Sequence, residues 1–246
     1  MAEGVTEAGE LPHSVREGVL APYRGLRFWL SFKWLIAGAL LYAMLLLVAI
    51  KAAPQDVIAP FIGPSFYLTP FFGLPLVLRT AHRPGRVRRL IYFLGVVPVA
   101  HMAAIYLTVY HLTSTFNPID TGGTYVRSLA SGAWGGVAGA VFGFTGLYLV
   151  RLTPRRRAEL VAMGFFTILL GAVGAAGVGQ AILFAGPDLP AAAHDSERLI
   201  IGFESVHLPW QATYAFALAW LMRPPHAPRK AATPPAAPAS GSTGTA

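Results

Sequence analysis

The stretch GFESVHLPWQ, Gly202 to Gln211, sets a glutamate, a histidine and a glutamine inside a long apolar run. Glu204, His207, Gln211 and Tyr214 are spaced i, i+3, i+7 and i+10, so a helix places all four on one face. A carboxylate one turn from an imidazole can hand a proton across or hold a cation, and histidine exchanges its proton near neutral pH. Pro209 removes a backbone N–H and frees a carbonyl near His207, a further acceptor for a ligand or ion. A charged side chain at membrane depth costs about 2.5–3.5 kcal/mol on insertion scales. That is more than hydrogen-bonded glue between helices requires, so the stripe reads first as a polar site and second as such glue.

The elements that must position these residues follow from composition. Of 246 residues, 54% are hydrophobic and 12% charged, half the charged share of about 25% usual in soluble domains. Six apolar runs are readable: Phe28 to Ile50, Val57 to Leu78, Leu90 to Leu112, Leu129 to Val150, Glu159 to Ala185 and Leu199 to Met222. Each is long enough to cross a hydrocarbon core of about 30 Å as a helix, the one state that leaves no backbone group unpaired there. The expected architecture is an all-α bundle of six transmembrane helices. From the outer edge of span six, Glu204 lies about 8 Å deep and His207 about 12 Å deep at about 1.5 Å per residue. His101, about 16 Å in from the opposite side on span three, falls at nearly the depth of His207. Its face continues through Ala104 and Thr108 to His111, and Gln180 on span five comes level with Glu204.

Orientation follows from arginine. Arg79, Arg83, Arg86, Arg88 and Arg89 follow span two; Arg151, Arg155, Arg156 and Arg157 follow span four; Arg223, Arg229 and Lys230 follow span six. The alternate loops hold one basic residue each, Lys51, Arg127 and Arg198, together with five acids. The positive-inside rule then puts both termini in the cytoplasm. The net charge of +8 is thereby accounted for, and no nucleic-acid partner is expected. Residues 1–27 form a leader whose Val15, Val19, Tyr23 and Leu26 suit a short interfacial helix. Residues 223–246, rich in Pro, Ala, Ser, Gly and Thr, form a tail expected to be disordered. The lipid bilayer is the first partner, and the composition fits a bacterial inner membrane. With no cysteine, thiolate metal sites, disulfides and cysteine nucleophiles are excluded.

Glycine spacing predicts how the helices pack. Gly132, Gly135, Gly136, Gly139 and Gly143 form overlapping small-xxx-small rows on span four, as do Gly164, Gly171, Ala175 and Gly179 on span five. Spans four and five should pair closely, within the chain or in a homo-oligomer or another membrane protein's interface. Span two, with Pro60, Pro64, Pro70 and Pro75, should be kinked or broken.

Four functions compete. One is a small transporter or channel-like protein, coupled to protons or a cation through Glu204, His207 and His101. The second is a non-catalytic subunit or scaffold of a larger membrane complex. The third takes His101 and His207 as axial ligands of a haem, or Glu204 and His207 as ligands of a metal ion. The fourth rests on a resemblance. Six spans with both ends inside, the serine of SGAWGG (residues 131–136) and a histidine in span six resemble the rhomboid proteases. That resemblance implies Ser131 as nucleophile and His207 as base. The sequence departs from that family in having Leu129 two residues before the serine and only a short first outer loop. No phosphate-loop, dinucleotide-binding or zinc-hydrolase motif is present.

Overall fold

Long apolar runs without water must satisfy their own backbone, and they do so as helices wherever the computed structural model describes them. The description covers residues 25–52, 63–115, 121–154, 156–185 and 196–224, among which there is no strand. Helix α1 spans Phe28–Ala52, α2 Gly63–Leu68 and α3 Pro70–Arg79. Helix α4, Arg86–Ile91, runs through a π-helical turn at Tyr92–Val96 into α5, Val97–Thr115. Then come α6, Thr121–Leu149, α7, Arg157–Ala185, and α8, Ser196–Leu221. The interfacial helix expected over Val15 to Leu26, all but its last two residues, lies outside the described residues. So does the expected disordered tail beyond Pro224, and so does Pro60.

Four stretches are long and apolar enough to cross a membrane: α1, Arg86–Thr108, Val126–Leu149 and Arg157–Phe184. Helix α8 has the length, but Glu197, Arg198, Glu204, His207 and Gln211 make it more polar than these. The second apolar run is divided. Pro70 has no N–H to continue the ladder, so Thr69 turns back through both its N–H and its hydroxyl to the Phe66 carbonyl. The Thr69 carbonyl then accepts from Phe72 N–H at 3.1 Å to start α3.

The helical walls close into a ring. Helix α1 packs on α3 and α8, α8 on α7, α7 on α6, α6 on α5, and the π turn returns to α3. Neighbours run antiparallel. Leu26 N–H donates to the Met222 carbonyl at 2.8 Å, so the start of α1 meets the end of α8. At that same end Arg89 folds inward and donates to the carbonyls of Thr80 (2.8 Å), Pro84 (2.9 Å) and Arg83 (3.0 Å). It thereby satisfies carbonyls of the turn between α3 and α4. Arg88 donates to the Arg151 carbonyl at 3.4 Å and ties α4 to the α6–α7 turn. Two arginines that the sequence reading counts as charge signals are also structural.

Polarity is inverted relative to a protein in water. Met44, Val48, Ile168 and Leu183 are 60–75% exposed on the outer faces, while Ser31, Ser65, Ser131 and Gln211 are buried. An apolar exterior over a partly polar interior is the arrangement that lipid selects.

The glycines of α6 face three neighbours. A Cβ on Gly132 or Gly136 would overlap backbone carbonyls of α7, at Gly174 and Leu170. On Gly135 it would strike the Thr108 hydroxyl of α5, and on Gly143 the Tyr214 hydroxyl of α8. On Gly139 it would lie 3.0 Å from the Trp210 ring. The α6–α7 pairing expected from sequence is present, with Gly171 against Val137. The α7 row uses Gly174 and Gly177, which the spacing argument passed over. Gly179 is buried and Gly164 faces outward, with nothing within 4 Å of its added Cβ. The rows 132/136 and 171/174 are thus consumed inside the chain. Gly136→Leu should destabilise the detergent-solubilised protein by about 2–3 kcal/mol through overpacking. Gly164→Ala should stay within about 0.5 kcal/mol. Thermal unfolding of the two variants side by side checks this contrast.

Candidate functional site

The polar stripe of α8 meets residues from three other elements. His207 and His101 face one another with ring centroids 5.3 Å apart and planes tilted by 34°. Tyr42 of α1 closes the third side, 6.1 Å from His101 and 6.0 Å from His207. Phe203 stacks on the outer side of His207 at 5.3 Å. Tyr42 is there because α1 buries Ser31, Leu35, Gly38, Ala39, Tyr42, Leu46 and Ile50 along one face. The two histidines, expected at one depth, are neighbours in the bundle.

Glu204 lies one turn outward, half-buried and within electrostatic reach of the Tyr42 hydroxyl. That hydroxyl approaches Ser65 of α2 without closing a hydrogen bond of good geometry. One turn inward from His207, Trp210 rests on Gly139 and beside Ala104, itself one turn from His101. Gln211 is buried next to it in sequence. Deeper still, Tyr214 and Tyr92 share a hydrogen bond between hydroxyls at 2.6 Å, with the Trp210 ring stacked on Tyr214 at 4.8 Å. The π turn presents both Tyr92 and Phe93 to the interior.

Four buried polar atoms in this layer have no hydrogen-bond partner: Tyr42 OH, His101 Nε2, Trp210 Nε1 and Gln211 Oε1. In native proteins the large majority of such atoms are paired, with protein or with ordered water. The pairing found one layer deeper, at Tyr92 and Tyr214, marks what interhelical glue looks like in this same bundle.

Other predicted residues are elsewhere. Thr108 donates to the Ala104 carbonyl at 2.9 Å and packs against Gly135, so it serves the α5–α6 contact. Gln180 is exposed on α7 and does not join Glu204. The Ser205 carbonyl, deprived of its donor by Pro209, lies against Gly177 of α7 rather than serving as a ligand acceptor beside His207. The histidine that Ser131 meets is His111, with Nδ1 at 2.9 Å from Oγ. Ser131 Oγ also lies 2.9 Å from the Arg127 carbonyl. A hydroxyl has one proton, so when it goes to that carbonyl, His111 is the donor and cannot be a base toward Ser131. The buried serine and His207 belong to different clusters.

Neither cofactor expectation fits this arrangement. An iron held by both imidazoles stands about 2 Å from each ligating nitrogen, with the rings end-on and farther apart than 5.3 Å. Tyr42 edges onto both rings and leaves no slot for a macrocycle. Among the described residues no three His, Asp or Glu side chains gather as metal ligands would.

Sequence reasoning missed Tyr42 and Trp210. The signal was present: Tyr42 is the one hydroxyl-bearing residue in the apolar run from Leu35 to Ile50, and Trp210 lies within the opening decapeptide. No known protein family, curated protein or solved structure matches the chain.

Tyr42→Phe removes an unpaired buried hydroxyl and leaves the ring. In the absence of any ligand it should raise stability by about 1 kcal/mol or more. A lowered unfolding midpoint would mean that the hydroxyl is bonded in the folded protein.

Proposed function

We propose that this chain is a small integral membrane transporter with six crossings, both ends in the cytoplasm, and a proton- or cation-coupled site at Glu204, His207 and His101. The setting that its composition favours is a bacterial inner membrane. The observation that carries the reading is the layer of four unpartnered polar atoms beside a facing histidine pair, with a half-buried acid on its outer side. Unpaired groups in an apolar bundle are costly unless a passing or bound polar species meets them. The antiparallel ring supports six crossings. Broken α2–α3 and polar α8 would complete the bundle, since irregular or polar helices are tolerated where they face protein.

Gln211, Tyr214 and Tyr92 carry the polar layer toward the arginine-rich end. The helix break at Thr69 is next to this layer through Ser65 and is the element best suited to move. A role as a non-catalytic membrane subunit leaves the unpaired layer without an explanation.

Proteoliposomes loaded with a pH-sensitive dye test the reading. Gradients of small cations, anions and neutral solutes are imposed in turn. At least one should drive proton movement in wild type. Glu204→Gln and His207→Ala should reduce it at least tenfold, and Ser131→Ala should leave it unchanged. If no solute drives Glu204-dependent proton movement, the transport reading is wrong.

A further inference from the structure

Resting on the transport reading, we infer that the solute at this site is a small oxyanion, a carboxylate or phosphate, that crosses together with a proton on Glu204. The chemistry of the unpartnered atoms points there. Tyr42 OH is a donor, and Trp210 Nε1–H can only donate. His101 Nε2 donates in one tautomer. The unpaired Gln211 Oε1 is an acceptor and suits a hydroxyl of the solute or a bound water. A layer that can present three donors, with no fixed positive charge, calls for an acceptor-rich partner. A cation would need carboxylates or carbonyls converging instead, and the carbonyl freed by Pro209 faces Gly177.

Glu204 then supplies the coupling. Its carboxylate and a bound anion would be like charges in one weakly screened site. The anion therefore favours the protonated carboxyl, and by reciprocity the proton favours the anion. The cycle balances: one proton moves from solution to the Glu204 carboxylate, one anion accepts hydrogen bonds from the donors, and both leave on the other side.

Among the described residues, the groups around Glu204 come from α1, α2, α5, α7 and α8 itself. Helix α1 brings the Tyr42 hydroxyl, and α5 brings His101. On α8 itself His207 is one turn inward, while Glu197 and Arg198 are exposed near the helix start. From Gly171 to Ala185, α7 carries no titratable residue. Tyr67 of α2 is 75% exposed. Lys51 is exposed at the same end of the bundle as Glu204, next to Ile50, which packs with Phe203. Among the described residues, Glu204 is the only acid in this layer.

The same dye-loaded proteoliposomes, made with the full chain, decide the matter. Lactate and phosphate gradients are compared with K⁺, Na⁺ and glucose, and protein-free vesicles correct for lactic acid crossing the lipid. Lactate or phosphate should acidify the lumen, with initial rates at least tenfold higher at external pH 6 than at pH 8. Glu204→Gln should abolish acidification while detergent-solubilised protein still binds the anion with affinity independent of pH. Tyr42→Phe, which keeps the ring, should raise the half-saturating anion concentration at least tenfold without lowering the unfolding midpoint. Acidification driven only by a cation or by glucose overturns the anion assignment and leaves the transport reading standing. If none of these solutes moves protons, the anion assignment falls, and the wider solute screen decides the transport reading separately. Equal half-saturation in wild type and Tyr42→Phe removes the donor layer from the site.

Discussion

A bundle whose outside is apolar leaves each polar group inside only two choices, a partner from another helix or a partner that is not protein. Most groups in this chain take the first. Arg89 gathers three carbonyls of the α3–α4 turn, Tyr92 and Tyr214 join hydroxyl to hydroxyl, and Ser131 meets His111. Ser31 Oγ and Glu159 Oε2 are also unpaired, but the unpaired atoms of Tyr42, His101, Trp210 and Gln211 gather around the facing histidines and the next turn of α8. Water or a solute is what remains to satisfy them, since the low local dielectric makes an unmade hydrogen bond expensive.

The glycines of α6 decide where that layer sits. Gly139 and Gly143 have no side chains, so Trp210 and Tyr214 of α8 press directly onto α6 backbone. Gly135 admits Thr108 and draws α5 in from the other side. Helices α5 and α8 are thereby held close enough for His101 and His207 to touch. Packing and site are one arrangement, with small residues providing proximity that lipid alone would not drive.

The broken second run adds the remaining wall. Gly38 lets α1 approach the Phe72 carbonyl region of α3, and the break at Thr69 brings buried Ser65 beside Tyr42. Pro70 has no N–H to donate, and the helical hydrogen-bond ladder is interrupted there although Thr69 keeps helical dihedrals.

Much was legible in the residues themselves. Hydropathy and length determined that the long runs are helices, the i, i+3, i+7 spacing put Glu204, His207 and Gln211 on one face, and Pro70 marked a break. Rise per residue even set His101 and His207 level, because depth along a straight helix is a one-dimensional quantity. Rotation about each axis is not. Only the tertiary structure decided that Thr108 turns to α6, that Gln180 looks outward and that Ser131 finds His111. It also decided that Tyr42, 165 residues before His207 in the chain, is its neighbour. In a helix that is apolar nearly all round, the sequence carries little information about which face turns inward. That choice is made by shape, where glycines let one helix close on another.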